Sequence, residues 1–254
     1  MCAQQRRDPE EVWRQYVEWR SGRLTSGVSR REEYRERLLS EGMPPAAVEE
    51  RLDIIDNRRL REWHGRWPRR RGESFPEEAL LEAQPSDFLA EVVGNLTPGP
   101  ALDTAIGSGI NVVYLARRGW KVTAIDISDV SLALVRERAR RAGVPVQTVH
   151  SSPGGFYYGR GEWDLVVMLY PAAGLTPSLG RRVAQALRPG GLVVCEHLLD
   201  TGPASDLLLL AAEGRFRPGE SRRAFGMLDI VRDETVTKHP AWGSPVQRLL
   251  ARKP

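Results

Sequence analysis

Apolar residues in the first hundred positions recur at the three- and four-residue spacing of amphipathic helices. Ser29 followed by Glu32 matches a capping box, in which a hydroxyl and a carboxylate each bond a backbone amide at a helix start. Gly42 predicts the end of that helix, and residues 97–100 (TPGP) predict a break before a different pattern begins. The predicted inner faces comprise Val12, Trp13, Tyr16, Val17, Tyr34, Leu38, Leu39, Val48, Leu52, Ile55, Phe88, Leu89, Val92, Val93 and Leu96.

After residue 100, short runs rich in β-branched residues alternate with helical stretches of about a dozen residues. Such alternation predicts right-handed βαβ units and an α/β fold with a doubly wound, mostly parallel sheet. Nearly continuous apolar strands, such as residues 165–169 (LVVML), indicate a sheet that is covered on both faces. The predicted strands are 101–105, 121–125, 144–149, 164–169, 192–196, 228–236 and 246–252, and the predicted helices are 111–118, 131–142 and 179–187. The change of pattern divides the chain into an N-terminal helical cap or lid region at residues 1–83 and an α/β domain at residues 84–254.

Composition and charge exclude several classes of protein. Six apolar residues at 207–212 fall far short of the roughly 20 that a membrane span needs, and the polar N-terminus lacks a secretory signal. Two cysteines cannot build a disulfide framework or a cysteine zinc cluster, so we expect a cytoplasmic protein with reduced thiols. The net charge is +4, but the first 100 residues hold 17 arginines against 19 acidic residues and form no basic arm for nucleic acid.

A glycine-containing turn follows the first predicted strand of the α/β domain and leads into a helix. The turn runs from Asp103 to Gly109, and its glycines allow a ligand to approach the backbone closely beside the amides of a helix start. Asp126 closes the second predicted strand 23 positions after Asp103. An acid at this place typically accepts hydrogen bonds from ribose hydroxyls. The chain is therefore predicted to bind an adenosine-containing cofactor at the carboxyl ends of its strands.

The order of four motifs resembles the class I, Rossmann-like S-adenosylmethionine-dependent methyltransferases. The motifs are residues 101–109 (ALDTAIGSG), 111–127 (NVVYLARRGWKVTAIDI), 163–167 (WDLVV) and 187–192 (LRPGGL). A nicotinamide-binding loop is disfavoured, because Val112 stands where that motif needs its third glycine. The resemblance covers roughly residues 84–254 and implies a Rossmann-like methyltransferase domain with a seven-stranded sheet whose last strand is antiparallel.

The same resemblance implies roles for individual residues toward S-adenosyl-L-methionine. Ala105 replaces the first glycine of the family motif, and no acid follows the third strand, where a serine hydroxyl or backbone carbonyl would have to take its place. The residues predicted to line the amino-acid end of the cofactor are Asp103, Ala105, Gly107 and Gly109, with Asp126 at the ribose and Ile127, Ser151 and Ser152 at the adenine.

Two side chains at the predicted ligand edge are candidates for catalysis. Tyr170 follows the fourth strand, and His197, which follows the fifth, could act as a base near neutral pH. The alternatives are a tyrosine that forms a wall of the pocket and a histidine bonded to a loop carbonyl. His64 lies between two tryptophans of a possible aromatic lid, and Cys195 is predicted to be a buried strand residue. His150 and His239 have no partner at metal-ligand spacing, so no metal is expected.

The leading hypothesis is methyl transfer to an oxygen, nitrogen or carbon atom of a small molecule. The N-terminal tryptophans suit an aromatic acceptor, although they serve equally to pack helices or to form a homodimer seam. A non-methylating ligand-binding protein or enzyme on the same fold stays open, because a fold does not determine function. A nucleic-acid methyltransferase is disfavoured, since residues 170–173 (YPAA) lack the Asn- or Asp-Pro-Pro-Tyr signature.

Overall fold

A computed structural model describes residues 8–20, 30–55, 58, 84–171, 174–199, 215–239 and 245–254. Among these residues, no helix has the length and apolar character needed to cross a membrane. The predicted lid residues Trp63, His64 and Trp67 lie outside the described ranges.

Three N-terminal helices pack around a hydrophobic core of their own. They are α1 (Pro9–Arg20), α2 (Arg30–Ser40) and α3 (residues 45–55). The buried ring of Tyr16 meets Tyr34 edge to face, with 5.2 Å between centroids, and Trp19 lies 4.9 Å from Tyr34. Trp19 is therefore occupied by helix packing, one of the roles that the sequence left open. The core consists of Val12, Tyr16, Trp19, Tyr34, Leu38, Val48, Leu52 and Ile55.

The α/β part confirms the predicted class, a doubly wound and mostly parallel sheet with flanking helices. Its helices are α4 (Asp87–Val93), α5 (Ile110–Arg117), α6 (Asp129–Ala142), α7 (Pro177–Ala186) and α8 (Glu220–Phe225). Its strands are β1 (Pro100–Asp103), β2 (Lys121–Asp126), β3 (Gln147–His150), β4 (Trp163–Leu169), β5 (Leu187–Leu199), β6 (Arg215–Phe216), β7 (Asp229–Val236) and β8 (Val246–Arg252).

The main sheet has the order β3-β2-β1-β4-β5-β8-β7. The last strand along the chain, β8, runs antiparallel to β5, as expected. A two-residue strand, β6, was not predicted and pairs with the end of β5. β5 is also longer than the five residues predicted, which places His197 within the strand and not after it. Because β7 is antiparallel to β8, β7 ends at the same edge as the parallel strands.

Two hydrophobic layers enclose the sheet, as expected for strands that are buried on both faces. One layer contains residues of α4, α5 and α6, and the other contains residues of α7 and α8. Alternate residues of β5 enter different layers, with Val194 in the first and Cys195 in the second. By the same alternation, Glu196 lies on the α4 side and His197 on the α7 side.

Side-chain caps determine where the helices bordering the site begin. The hydroxyls of Ser86, Ser128 and Thr176 accept bonds from backbone amides three residues later, which start α4, α6 and α7. The amide of Ser86 also donates to Oδ1 of Asn111 at 2.9 Å. This bond holds the start of α4 beside the start of α5, next to the glycine turn.

Candidate active site

The turn between β1 and α5 contains two glycines in different surroundings. One borders open space, and the other is tightly packed. Gly107 has φ +49°, and a Cβ built on it would meet nothing within 4 Å. Gly109 has φ +80°, and its Cβ would lie 2.4 Å from Cγ2 of Val135 in α6. Gly107 therefore leaves room for a ligand, whereas Gly109 lets α5 and α6 approach each other.

Two buried carboxylates stand at the ends of neighbouring strands. Oδ1 of Asp103 accepts from the amide of Ala105 at 3.1 Å, and Oδ1 of Asp126 accepts from the amide of Ser128 at 2.8 Å. Burial raises the pKa of Asp103 to about 7, and the charge of Asp126 adds to the rise, against the bond from Ala105. A cation placed beside Asp103 would relieve this cost.

The loop after β3 closes the other side of β2. The amide of Ser151 donates to the carbonyl of Asp126 at 3.0 Å, and a ring nitrogen of His150 lies 2.8 Å from the carbonyl of Ile127. The Ser151 hydroxyl donates to the carbonyl of Ser152, and the Ser152 hydroxyl accepts from Gly155. These bonds place both serines beside Asp126, while their contact with an adenine stays a prediction.

The arrangement fits the cofactor that the sequence implies. The open backbone at Gly107 admits a ligand, and the Asp103 carboxylate suits an ammonium group. Asp126, on the adjacent strand, suits the hydroxyls of a ribose. Ala105 stays partly exposed between them, so its methyl group does not close the turn.

Tyr170 directly follows β4 and has a backbone conformation that is rare for its residue type. Its φ is +54°, in the left-handed region, and such strain concentrates at functional sites. Its amide donates to the carbonyl of Glu196 at 2.7 Å, and its hydroxyl donates to Oε1 of the same residue. The tyrosine oxygen also lies 3.4 Å from Nε2 of His239. Tyr170 is thus held by the fully buried Glu196.

Arg248 joins the two carboxylates of this cluster. Its Nε donates to Oε2 of Glu196 at 2.5 Å, and a terminal nitrogen donates to Oδ1 of Asp87 at 2.8 Å. Burial opposes the charge of Arg248, but Glu196 and Asp87 outweigh it and raise its pKa. Burial likewise opposes ionisation of Asp87, but bonds from Arg248 and the amide of Phe88 lower its pKa overall. We call Asp87, Tyr170, Glu196, His239 and Arg248 the polar cluster.

The topology brings the polar cluster to the carboxyl edge of the parallel strands. Tyr170 follows β4, Glu196 lies near the end of β5, and Arg248 pairs with it from the start of β8. His239 follows the end of β7, and Asp87 opens α4 beside the glycine turn. The cluster and the two strand-end carboxylates therefore share one edge of the sheet, where ligands bind in such folds.

His197, predicted as a possible base, is not brought to Tyr170 by these contacts. Its ring is buried on the α7 side of β5, 4.7 Å from the Phe216 ring, and burial lowers its pKa to about 4. Its Nδ1 lies 3.4 Å from the Leu198 carbonyl, close to the carbonyl-bonded alternative. A catalytic role for His197 stays a prediction that this geometry does not support. Cys195 is buried as expected, and burial raises the pKa of its thiol.

His239 has no partner at metal-ligand spacing in the sequence, but the fold brings two carboxylates close to it. Asp87, Glu196 and His239 offer three atoms within 4.8 Å of one another, a spacing that could hold a metal ion. We assign no metal to this set, because the guanidinium of Arg248 already bonds both carboxylates.

Sequence reasoning found Tyr170 but missed its partners. Glu196 carries a usable signal, because it is the one charged residue in the run 192–199 of an otherwise buried strand. Asp87, His239 and Arg248 carry no such signal, since they lie in stretches of mixed polarity and reach the site only through the fold.

Comparison with known proteins finds similarity to methyltransferases over part of the chain. Residues 101–191 match the model of a methyltransferase domain. The chain is 25% identical over 178 residues to hemagglutinin 1 of Eikenella corrodens, covering 65% of this chain and 58% of that protein. It is 32% identical over 115 residues to the ubiquinone biosynthesis O-methyltransferase of Paramagnetospirillum magneticum, covering 44% of this chain and 45% of the relative. The chain spans about half the length of these curated relatives.

A solved structure supports the fold assignment. The 1,6-didemethyltoxoflavin-N1-methyltransferase of Burkholderia thailandensis, with bound 1,6-didemethyltoxoflavin and S-adenosylhomocysteine, aligns with a TM-score of 0.53 at 20% identity. The alignment covers 78% of this chain and 87% of that structure. Residues 101–191 thus match a methyltransferase domain, and the strand order and this structure show a fold that the chain shares with methyltransferases.

Proposed function

We propose that this chain transfers a methyl group from S-adenosylmethionine to an oxygen, nitrogen or carbon atom of a small molecule. The observation that carries the proposal is the shared edge of the sheet. There the open turn at Gly107 and the carboxylates of Asp103 and Asp126 lie on one side, with the polar cluster around Tyr170 on the other.

The cofactor half of this edge binds the cofactor and orients it. Asp103 attracts the ammonium group, the backbone at Gly107 lies along the amino-acid end, and Asp126 accepts from the ribose hydroxyls. When bound, the cofactor supplies a methyl group already activated on a sulfonium. The chain therefore has to position the acceptor and exclude water, and a base is needed only where the nucleophile arrives protonated.

The acceptor half favours a small organic molecule with a polar reacting group. Tyr170 is half-buried, and its hydroxyl and that of a bound acceptor would compete for the same buried carboxylate and imidazole. Two similar proteins support this, since one is an O-methyltransferase of ubiquinone biosynthesis and the other is a 1,6-didemethyltoxoflavin-N1-methyltransferase, whereas a third is a ribosomal RNA methyltransferase.

The test is transfer of label. The purified chain is incubated with methyl-labelled S-adenosylmethionine and a deproteinised, nucleic-acid-free metabolite extract, and a labelled low-mass product is expected. A parallel incubation with RNA and DNA is expected to give none. Tight cofactor binding without any labelled product would favour the non-methylating alternative, and label in nucleic acid would contradict the small-molecule assignment.

Asp126→Ala provides the matched loss-of-binding variant. It removes the carboxylate that we assign to the ribose, so we expect calorimetry to show cofactor affinity weakened by about tenfold or more, as for loss of a charge-assisted bond. Thermal unfolding checks that the variant is folded. Unchanged affinity in a folded variant would remove the ribose role from Asp126.

A further inference from the structure

We infer that His239 takes up the proton that the acceptor loses during methyl transfer, while Tyr170, Glu196, Arg248 and Asp87 orient it and balance its charge. The inference rests on the proposed function and assigns the base of that same site. It concerns acceptors whose reacting oxygen or nitrogen arrives protonated.

The geometry places the imidazole next to two oxygen atoms of the polar cluster. Nε2 of His239 lies 3.4 Å from the Tyr170 hydroxyl and 3.9 Å from Oε1 of Glu196. The two rings meet nearly edge to face, with 6.2 Å between centroids. The His239 side chain is 10% exposed and Glu196 is fully buried, so solvent screens their interaction weakly.

The cluster carries one unbalanced negative charge while the imidazole of His239 is neutral. Glu196 and Asp87 carry two negative charges, and Arg248 bonds both with a single positive charge. With a neutral His239 the cluster has a net charge of −1, and protonation of the imidazole brings the sum to zero. A buried cluster that gains neutrality on taking up a proton is a suitable sink for the proton of an acceptor.

The hydrogen-bond network also indicates which nitrogen is basic. Tyr170 donates its proton to Glu196, so its oxygen acts as an acceptor toward His239. This arrangement favours the tautomer with a proton on Nε2, which makes Nδ1 the basic nitrogen. Tyr170 and Glu196 are therefore positioning residues for the imidazole, and Arg248 with Asp87 holds Glu196 in place.

The step balances as follows for an acceptor hydroxyl. The acceptor oxygen forms a bond to the methyl carbon while the sulfur–methyl bond breaks, and that bonding pair stays on sulfur as a thioether. The acceptor O–H bond breaks, and its proton ends on His239, whose positive charge then faces Glu196. Release of the proton to water afterwards restores the neutral imidazole.

The first test compares variants of His239 and His197 with a variant of Lys238, the exposed residue that precedes His239. With the labelled acceptor from the preceding experiment, His239→Asn is expected to lower the transfer rate at pH 7 by about 100- to 10,000-fold, the usual worth of a general base. Lys238→Gln, next to it in the chain and exposed, is expected to leave the rate unchanged. The rate of methyl transfer is expected to rise with pH in the wild-type chain and in His197→Asn, but not in His239→Asn. The reverse pattern would overturn the inference.

The second test addresses the residues that position the imidazole. Glu196→Gln keeps the shape of the side chain but removes the charge that faces His239, and Tyr170→Phe removes the hydroxyl beside Nε2. Both variants should lower methyl transfer while cofactor affinity is retained.

Outcomes of these tests separate the inference from the function beneath it. Product formed by the wild-type chain but unaffected by His239→Asn overturns the inference alone. Unchanged methyl transfer by Glu196→Gln overturns the charge pairing. Activity lost on chelation and restored by a divalent ion would make His239 a ligand and would also overturn it.

Discussion

At the scale of single residues, Asp103 couples the stability of the fold to pH. Its pKa is raised from 3.8 to about 7, chiefly by burial, so its contribution to folding is complete below the unfolded value. That contribution is lost as the pH rises from about 4 to about 7, and the loss amounts to at most about 4 kcal/mol at 1.4 kcal/mol per unit. His197 acts in the opposite direction, because burial lowers its pKa from 6.5 to about 4 and destabilises the fold as the pH falls through that range.

Asp103→Asn should therefore separate the effect of Asp103 on folding stability from its proposed effect on cofactor binding. The variant keeps an acceptor for the Ala105 amide but cannot ionise, so its unfolding free energy should exceed that of the wild type by an amount that grows from pH 4 to pH 7. Denaturant unfolding of the cofactor-free proteins at several pH values measures the difference. Its cofactor affinity at pH 8 should fall. A difference that does not change with pH would show that Asp103 ionises normally.

At the scale of elements, the glycine turn has two separate duties. Gly107 faces open space, whereas Gly109 lets the start of α5 pass Val135 of α6. Both have positive φ, so alanine at either position adds strain, but only one of the two also adds a steric clash.

The paired variants Gly107→Ala and Gly109→Ala test this division. Gly107→Ala should cost about 1 kcal/mol of unfolding free energy and weaken cofactor binding, because its methyl group enters the ligand space. Gly109→Ala should cost about 2–4 kcal/mol, since strain and overpacking add. Val135→Ala in the second background should recover part of the loss, as its Cγ2 is the clashing atom. Equal costs in chemical denaturation would contradict the distinction.

At the scale of the whole molecule, the described residues form hydrophobic cores in separate parts of the chain. Members of the N-terminal core lie between Val12 and Ile55, and both layers around the sheet begin after residue 87. An ion pair of 3.6 Å joins Glu36 of α2 to Arg217, just after β6. The N-terminal helices thus contact the chain just after β6, the strand that pairs with the end of β5, while they keep a hydrophobic core of their own.

A chain restricted to residues 84–254 tests the predicted boundary. Because both layers around the sheet are retained, we expect cooperative thermal unfolding and cofactor affinity close to that of the intact chain. Methyl transfer should fall, if the first 83 residues cover the acceptor as the sequence predicts. A fragment that aggregates or unfolds without a transition would refute the independence of residues 84–254.

The alternation of strands and helices was predictable from the sequence, and so was the proximity of the glycine turn to Asp126, which we propose for the cofactor. Both depend on local features, since the turn, its glycines and Asp126 lie within 24 consecutive residues. The two-residue β6 and the full length of β5 were not predictable, because pairing with neighbouring strands extends or creates them.

The acceptor half was decided by the tertiary structure alone. Tyr170 and Glu196 are 26 residues apart, and Arg248 and Asp87 are 161 apart, yet each pair is hydrogen-bonded. The hydrophobic periodicity of the sequence does not predict such contacts. They exist because parallel strands end at one edge, an antiparallel strand returns Arg248 to it, and α4 begins there. Local sequence therefore determined the turn and the carboxylates that we propose for the cofactor, and strand order decided which charges meet beside them.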